Sequence, residues 1–490
     1  MSFQPRVLPL DPIANLANYR RTGGGNGLEA AREVDAQVVI DEVEASGLRG
    51  RGGAGFPTGI KWRTVAENAS DTLRTTVVVN AAEGEPGTLK DRAILGRNPY
   101  LVVEGALIAA HAVGANHVII ATKASFEHEV QRLHTAIADM AADGWLGEVT
   151  VDVYEGPDEY LYGEETALLE VLAGRRPFPR VTPPYRRGYV EVVEDDQLGR
   201  DGGSSAAHVD LAGPGGEGLA PPALVNNVET VANVPAIVAR GAAWFREVGT
   251  QESPGSLVVT VSGSTERDGV AEVPMGTTLA EAIDAAGGGL GRGSQIAAIL
   301  NGSVSAALGP EHIDTPLTYE DFERIGSALG SAGFVVHDQD TDMVALAAGV
   351  SRFLAVESCG QCTPCKGDGL VMADVLARLA ASEGSDHDLK ELASRVDTVT
   401  DEARCYLAQQ HQQVIGSLIE RFPDQFAGHA DRTAMAAEPV LFAEFEGIEG
   451  GVASVRRSFA EKKPDWSHDK EWSGKWPAEQ ADQRVDQPDD

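Results

Sequence analysis

Apolar residues over 36–46 recur at the spacing of one helical face, which predicts a helix there. It runs into Gly47-Leu48-Arg49-Gly50-Arg51-Gly52-Gly53-Ala54-Gly55-Phe56-Pro57-Thr58-Gly59, a stretch too rich in glycine for helix or strand, and therefore a loop. The pattern then switches repeatedly between strand and helix. Strands are expected over Thr75–Val79, His117–Thr122 and Glu148–Tyr154, and helices over Val102–Val113, Ser125–Ala142 and Ala167–Ala173. Strands alternating with helices predict a parallel sheet covered on both faces, with ligands at the carboxyl ends of its strands, where the turn Asn80–Asp91 falls. Gly188–Pro222, rich in Gly, Asp, Ser and Pro, reads as an irregular crossover.

Past a boundary at Val248–Ser256 the elements shorten. Strands Leu257–Ser262, Val270–Val273, Ile296–Leu300 and Gly333–His337 surround one helix, Leu279–Ala286, and make a small α+β module. From Asp342 helical spacing returns over Met343–Val356, Leu370–Ala381, Leu389–Val399 and Ala403–Phe422, a helical bundle. The expected organisation is an N-terminal extension over 1–35, an α/β domain over 36–250, the small module over 251–340, the bundle over 341–427 and a polar tail over 428–490. No repeat of 20 to 50 residues recurs.

Charge narrows the functional classes. Against 40 Lys and Arg stand 74 Asp and Glu, a net charge of −34, so binding to nucleic acid or to an anionic membrane is not expected. No apolar run approaches the ~18 residues of a membrane helix, so direct membrane insertion is not expected either. The opening MSFQPRVLPLDPIANL lacks the layout of a secretory signal, and the expected location is cytoplasmic.

The four cysteines all lie beyond residue 358. Cys359, Cys362 and Cys365 have CxxCxxC spacing, and Cys405 follows on a distant helix, which suits the four thiolates of an iron–sulfur cubane. A tetrahedral zinc site is the rival, although structural zinc sites usually pair CxxC with CxxC. Other segments offer anion chemistry. Arg49, Arg51 and Lys61 surround bare amides in the glycine loop. Asn80–Gly87 carries an acidic pair after a strand, where a solvated turn is the plain alternative. Asn226-Asn227-Val228-Glu229-Thr230 opens a helix, as a cap or as a phosphate site. Tyr160–Thr166 places Glu164 and Glu165 at a helix start, where the dipole favours acids in any case.

In this order GLRGRGGAGFPTGIKW, NAAEGEPGTLKDR, YLYGEETALLEVLAG, LVNNVET and ESCGQCTPC resemble the NADH-binding flavoprotein subunit of respiratory complex I and its relatives in NAD-linked hydrogenases and formate dehydrogenases. The resemblance spans roughly residues 35–425. It implies an α/β fold with a Rossmann-like FMN-binding domain, a ubiquitin-like SLBB module and a C-terminal helical bundle carrying a [4Fe–4S] cluster. It implies FMN held by Gly50, Arg51, Gly52, Lys61, Asn80, Glu83, Tyr160, Gly163, Glu164, Asn226, Asn227 and Thr230. NADH would meet Phe56, Lys61, Glu85, Glu165 and Tyr185, and the cluster Cys359, Cys362, Cys365 and Cys405. It also implies an NADH:acceptor oxidoreductase, with hydride passing from NADH to FMN and single electrons to the cluster. The expected partners are a small [2Fe–2S] subunit and a larger iron–sulfur subunit in a hetero-oligomer.

Three positions depart from the family pattern. Ala82 replaces an acid beside the flavin, Thr64 an aromatic, and Thr182 a basic residue. They leave open an alternative, a flavin and iron–sulfur relay or scaffold subunit with a degenerate nicotinamide site. The last 25 residues hold Trp466, Trp472 and Trp476 among charged residues, anchors for a partner or for the chain's own domains.

Overall fold

The computed structural model describes residues 3–69, 75–189 and 221–481, so most of the expected crossover Gly188–Pro222 lies outside the described residues. The first sheet consists of β1 (Thr76–Ala81), β2 (His117–Lys123), β3 (Thr150–Gly156) and β4 (Ala223–Asn227), all parallel, in the order β3-β2-β1-β4. The Val-rich β1 is central and buried, as a parallel strand covered on both faces must be. The chain builds outward from β1 through β2 to β3 and then returns to place β4 on its other side. The carboxyl ends of β1 and β4 thus flank a topological switch point, with Asn80 opposite Asn227 and Val79 opposite Asn226. Hydrophobic patterning does not announce β4, a short strand directly after a Gly- and Pro-rich stretch.

The helix Pro99–Val113 lies against this sheet, started by Pro99 and by the Asn98 side chain, which accepts from Leu101 N, and ended by Gly114. It packs closely on the helix Val228–Arg240: a Cβ at Gly105 would stand 2.0 Å from Val231 O. Residues ahead of 36 belong to the same core. Val7, Leu8, Tyr19, Leu28 and Ala31 are buried in it, and the buried Glu104 accepts from Tyr19 Oη (2.6 Å), Gly25 N and Leu28 N. Burial raises the Glu104 pKa and outweighs these hydrogen bonds. The backbone N–H groups of Arg6, Val7 and Leu8 all donate to Glu272 of the next module, at 2.9 Å.

That module is a mixed sheet of β5 (Ser256–Gly263), β6 (Gly269–Pro274), β7 (Ile296–Asn301) and β8 (Gly333–Asp338) in the order β6-β5-β8-β7. Only β5 and β8 are parallel. Its helix Leu279–Gly287 is opened by a Thr278–Glu281 capping box, and beyond the single helix expected the module carries a second, Tyr319–Arg324, too short to show a period and capped by Thr318.

The bundle comprises Met343–Glu357, Thr363–Ala380, Asp386–Thr398 and Leu407–Arg421, followed by Pro423–Ala430. The second of these begins seven residues before the expected Leu370, because Pro364 suits a first turn, and Cys365 therefore sits in that turn rather than in a loop. Cys405 sits just ahead of the helix Leu407–Arg421 rather than within it. The tail continues as an ordered path with a hairpin of β9 (Phe445–Glu449) and β10 (Val452–Val455), and Phe442, Phe445, Phe459 and Trp466 are buried. No helix among the described residues is long and apolar enough to cross a membrane.

Because Gly105 brings two helix backbones together, Gly105→Ala is expected to destabilise the fold by about 1–3 kcal/mol, the usual cost of overpacking. Denaturant unfolding of the two proteins measures this, and equal midpoints would contradict the close approach.

Candidate functional site: a crevice at the sheet edge and a four-cysteine pocket

The glycine loop lies over the switch point. Bridging between Arg49 and Pro57 closes it, with Gly50 N donating to Phe56 O at 2.8 Å and Arg49 Nε to Gly55 O at 2.7 Å. Gly55 has φ +64, and a Cβ there would be 2.5 Å from the Tyr319 ring. The Arg51 guanidinium is buried and turned away from the loop's open face. It donates to Pro254 O (3.1 Å), Ser256 O (3.2 Å) and Arg49 O (3.1 Å), while Arg51 N donates to Thr230 Oγ1 at 2.8 Å. Arg51 thus fixes the loop to the start of β5 and leaves recognition to the backbone. The N–H groups of Gly52, Gly53 and Ala54 have no partner among the described residues, a nest of amides that fits a phosphate. This donor set is the feature that fits FMN.

Around the crevice the polar side chains hold one another. Asn80 Nδ2 donates to Gly163 O at 2.8 Å, which brings the turn after β1 against the Tyr160–Gly163 turn. Glu164 caps the helix Glu165–Leu172 by accepting from Thr166 N (3.0 Å) and Ala167 N (2.8 Å), and burial raises its pKa. Asn226 Oδ1 accepts from the buried Trp62 Nε1 at 2.8 Å, on the helix Thr58–Glu67. Asn227 caps its helix through Glu229 N (3.0 Å) and joins a buried charge cluster: it accepts from Lys90 Nζ (3.0 Å) and donates to Asp91 Oδ2 (2.6 Å).

Lys90 pairs with Asp91 at 2.7 Å and Glu229 at 3.1 Å. Burial works against its charge, but Asp91 and Glu229 prevail and its pKa rises. Glu83 points at the start of the helix Lys90–Arg97 and accepts from Asp91 N at 2.9 Å, with Arg92 Nε 3.8 Å away. Burial, joined by Asp91, pushes the Glu83 carboxyl up to about 7, against the pull of Arg92 and Lys90. Lys90, Asp91 and Trp62 stand inside the family-like motifs, yet nothing in their spacing marks them as supports of the site.

The residues expected to meet a nicotinamide dinucleotide are only partly assembled. Lys61 Nζ and Glu165 Oε2 pair at 2.7 Å, joining the glycine-loop helix to the helix Glu165–Leu172. Phe56 is 54% exposed on the loop and offers a free aromatic face. Glu85 faces the SLBB module: its Oε1 accepts from Ser303 N (2.5 Å) and Ser303 Oγ (2.7 Å), and its Oε2 accepts from Tyr160 Oη (2.5 Å). Burial nonetheless raises the Glu85 pKa. Tyr185 lies at the other end of β4, next to Pro184, whose carbonyl accepts from Ala223 N at 3.1 Å. Ala82 is closed into an apolar cluster with Tyr162, and Thr64 donates to Ile60 O on its own helix.

Cys359, Cys362, Cys365 and Cys405 line one pocket with Leu161, Pro179 and Leu407. Burial pushes the Cys365 thiol up to about 11 and the Cys405 thiol up to about 12, so uptake of a metal centre releases protons. A zinc ion would need every sulfur ~2.3 Å from one point. Four cysteines lining one pocket offer such a donor set to zinc and equally the four corner thiolates of a [4Fe–4S] cubane. The buried Lys366 crosses the end of the helix Met343–Glu357 and donates to Ala355 O (2.8 Å), Val356 O (3.1 Å) and Ser358 O (2.8 Å), which fixes the approach to Cys359.

Tyr160 joins the two sites. Its hydroxyl donates to Glu85 and accepts from Gln410 Nε2 at 2.8 Å, on the helix that follows Cys405. Its N–H donates to Glu357 Oε2 at 3.0 Å, two residues before Cys359. Burial, with Glu85 beside it, raises the phenol pKa well above its ordinary value, so the group stays a donor at neutral pH. Ser303 and Gln410 lie outside every motif quoted above, and Glu357, the first residue of ESCGQCTPC, is singled out there by nothing in its spacing.

Two outcomes follow. Glu83 binds its proton more tightly in the folded chain, so its contribution to stability is full below the ordinary carboxyl pKa of 4.5 and is lost as pH rises through about 7. Glu83→Gln is expected to flatten the decline in unfolding midpoint between those pH values, and an unchanged decline would show that Glu83 is not its source. Cys405→Ala is expected to leave reconstituted protein deficient in iron and acid-labile sulfide, and a full complement of both would remove Cys405 from the ligand set.

Comparison with known proteins agrees with this geometry. The model of the Nuo51 FMN-binding domain matches residues 43–236, that of the SLBB domain 258–305, and that of the NADH-ubiquinone oxidoreductase-F iron-sulfur binding region 345–429. An NADH-quinone oxidoreductase subunit of Rhizobium meliloti (strain 1021) is 36% identical over 428 residues, covering 85% of this chain and 94% of that protein. The HndC subunit of the NADP-reducing hydrogenase of Solidesulfovibrio fructosivorans is 35% identical over 433 residues, covering 86% and 82%. The crystal structure of an NAD+-reducing [NiFe]-hydrogenase in its H2-reduced state superposes with TM-score 0.70 at 31% identity, covering 85% of this chain and 67% of that one. The chain therefore belongs to the family of NADH-binding FMN and [4Fe–4S] subunits of complex I and the related NAD-linked hydrogenase diaphorases.

Proposed function

We propose that this chain is the NADH:acceptor oxidoreductase subunit of a multisubunit redox complex, with FMN in the β1/β4 crevice and a [4Fe–4S] cluster on Cys359, Cys362, Cys365 and Cys405. The observation that carries this reading is the Tyr160 junction, because it sets the nucleotide turn and the cluster loop against one side chain. Bound FMN supplies the conversion between a two-electron hydride donor and one-electron carriers. The protein binds and orients. The amides of Gly52, Gly53 and Ala54 hold the flavin phosphate, and the Asn80, Gly163 and Asn226 surroundings set the ring. Lys61 meets the dinucleotide while Glu165 holds the Lys61 ammonium in place, and Phe56 stacks on the base. No side chain acts as acid or base.

The partners proposed are a small [2Fe–2S] subunit and a larger iron–sulfur subunit. The half-exposed Tyr406 and its neighbour Arg404, beside Cys405, supply a face for one-electron transfer out of the chain. A second reading, a relay subunit with a degenerate nicotinamide site, draws on the enclosure of Ala82 and on Tyr185 lying at the far end of β4.

Anaerobic NADH titration of flavin-loaded protein separates the two. The expected result is bleaching of the flavin band, with Lys61→Ala weakening NADH binding about 10- to 100-fold, the worth of one charged hydrogen bond. Absence of bleaching by NADH and by NADPH, together with a gain of binding in the Ala82→Asp, Thr64→Phe double variant, would replace this reading with the relay.

A further inference from the structure

The family models end at residue 429, but the described chain continues beyond it and touches every domain on the way. Val440 N donates to Ala345 O of the bundle at 3.0 Å. The carbonyls of Phe445 and Glu446 accept from Arg92, and Glu444 pairs with the buried Lys123 at 2.7 Å, both contacts with the flavin domain. Ala453 N donates to Asp268 of the SLBB module at 2.6 Å. Arg456 pairs with Asp158 at 2.9 Å.

The path then closes on the cysteine loop. Lys462 Nζ meets Glu357 at 2.6 Å, on the same carboxylate that accepts from Tyr160 N. Trp466 Nε1 donates to Val356 O at 2.9 Å, its ring 5.9 Å from that of Phe178, and its backbone is held at φ +69, a conformation kept by a non-glycine residue only where its surroundings fix it. Farther on, Ala478 N donates to Cys359 O at 2.9 Å. Trp476 lies so close that a Cβ on Gly360, at φ +80, would stand 2.8 Å from the Trp476 Cβ. Two of the tail's three tryptophans are thus anchors on the chain's own cluster loop, and only Trp472 points outward.

We infer that residues 462–480 are a strap that positions the Cys359–Gly360 side of the cluster loop and shields it from solvent, a duty the chain performs for itself. Electron exit is thereby confined to the Cys405 side. The shield should matter for access and not for turnover at the flavin, since no strap residue reaches the glycine loop.

Two measurements test this, one of which does not depend on the cluster assignment. In the apo protein, iodoacetamide labelling followed by peptide mapping is expected to modify Cys359 about tenfold faster in Trp476→Ala and in a chain stopped after Glu461, as local opening becomes easier, with Cys405 labelled at its original rate. In cluster-loaded protein, a ferrous chelator is expected to remove iron faster from the same variants, while NADH bleaching of the flavin is unchanged. Should the truncated chain fail to fold, Trp476→Ala decides alone, provided that circular dichroism shows it folded. Equal labelling of Cys359 in folded variant and parent, or an equal rise at Cys405, would overturn the strap.

Discussion

One phenol sits where three segments must agree. Tyr160 Oη lies between Glu85 of the nucleotide turn and Gln410 of the helix behind Cys405, while its backbone holds Glu357 at the entrance to the cysteine loop. A flavin and a cluster can exchange single electrons only if the protein keeps them at a fixed, short separation, and these bonds set the relative position of the parts that hold them. Phe353 packs edge-on against the Tyr160 ring at 5.2 Å between centroids, so the junction is braced by apolar contact as well.

The same logic explains why so many charges are buried beside the crevice. Lys90, Asp91, Glu229, Glu83 and Arg92 form one cluster under the carboxyl ends of β1 and β4. Buried pairs contribute little net stability, since desolvation opposes attraction, but breaking one leaves a charge unmatched and is costly. Such a cluster specifies one arrangement of Asn227 and of the turn after β1. It is a positional device, and burial with Asp91 close by is what raises the Glu83 pKa within it.

Much of this is legible in the residues, and the exceptions have physical causes. The central strands β1 and β2 and the helices Met343–Glu357 and Thr363–Ala380 follow from hydrophobic period because each buries a run of apolar residues, and β3, β6 and the helix Asp386–Thr398 keep the period although they bury little of it. β4 is hidden because five residues after a Gly- and Pro-rich stretch carry no period of their own. The N-terminal residues read as an extension because their anchor, Glu104, lies on a helix that patterning treats as apolar. Arg51 is an obvious cation for an anion, yet its guanidinium is committed to the Pro254 and Ser256 carbonyls, a choice set by tertiary packing. The cysteine spacing is the clearest local signal. The tail's role is the least visible, since its tryptophans find their partners more than a hundred residues away in sequence.

Transfer between the two centres within this chain is the central claim. Its most direct test is a low-temperature paramagnetic resonance spectrum of protein loaded with FMN, iron and sulfide, recorded before and after stoichiometric NADH under argon. A reduced-cluster signal is predicted to appear as the flavin band fades, and Cys405→Ala is predicted to abolish the signal but not the fading. A flavin that fades with no cluster signal in the intact protein, or stoichiometric zinc in place of iron, would contradict it.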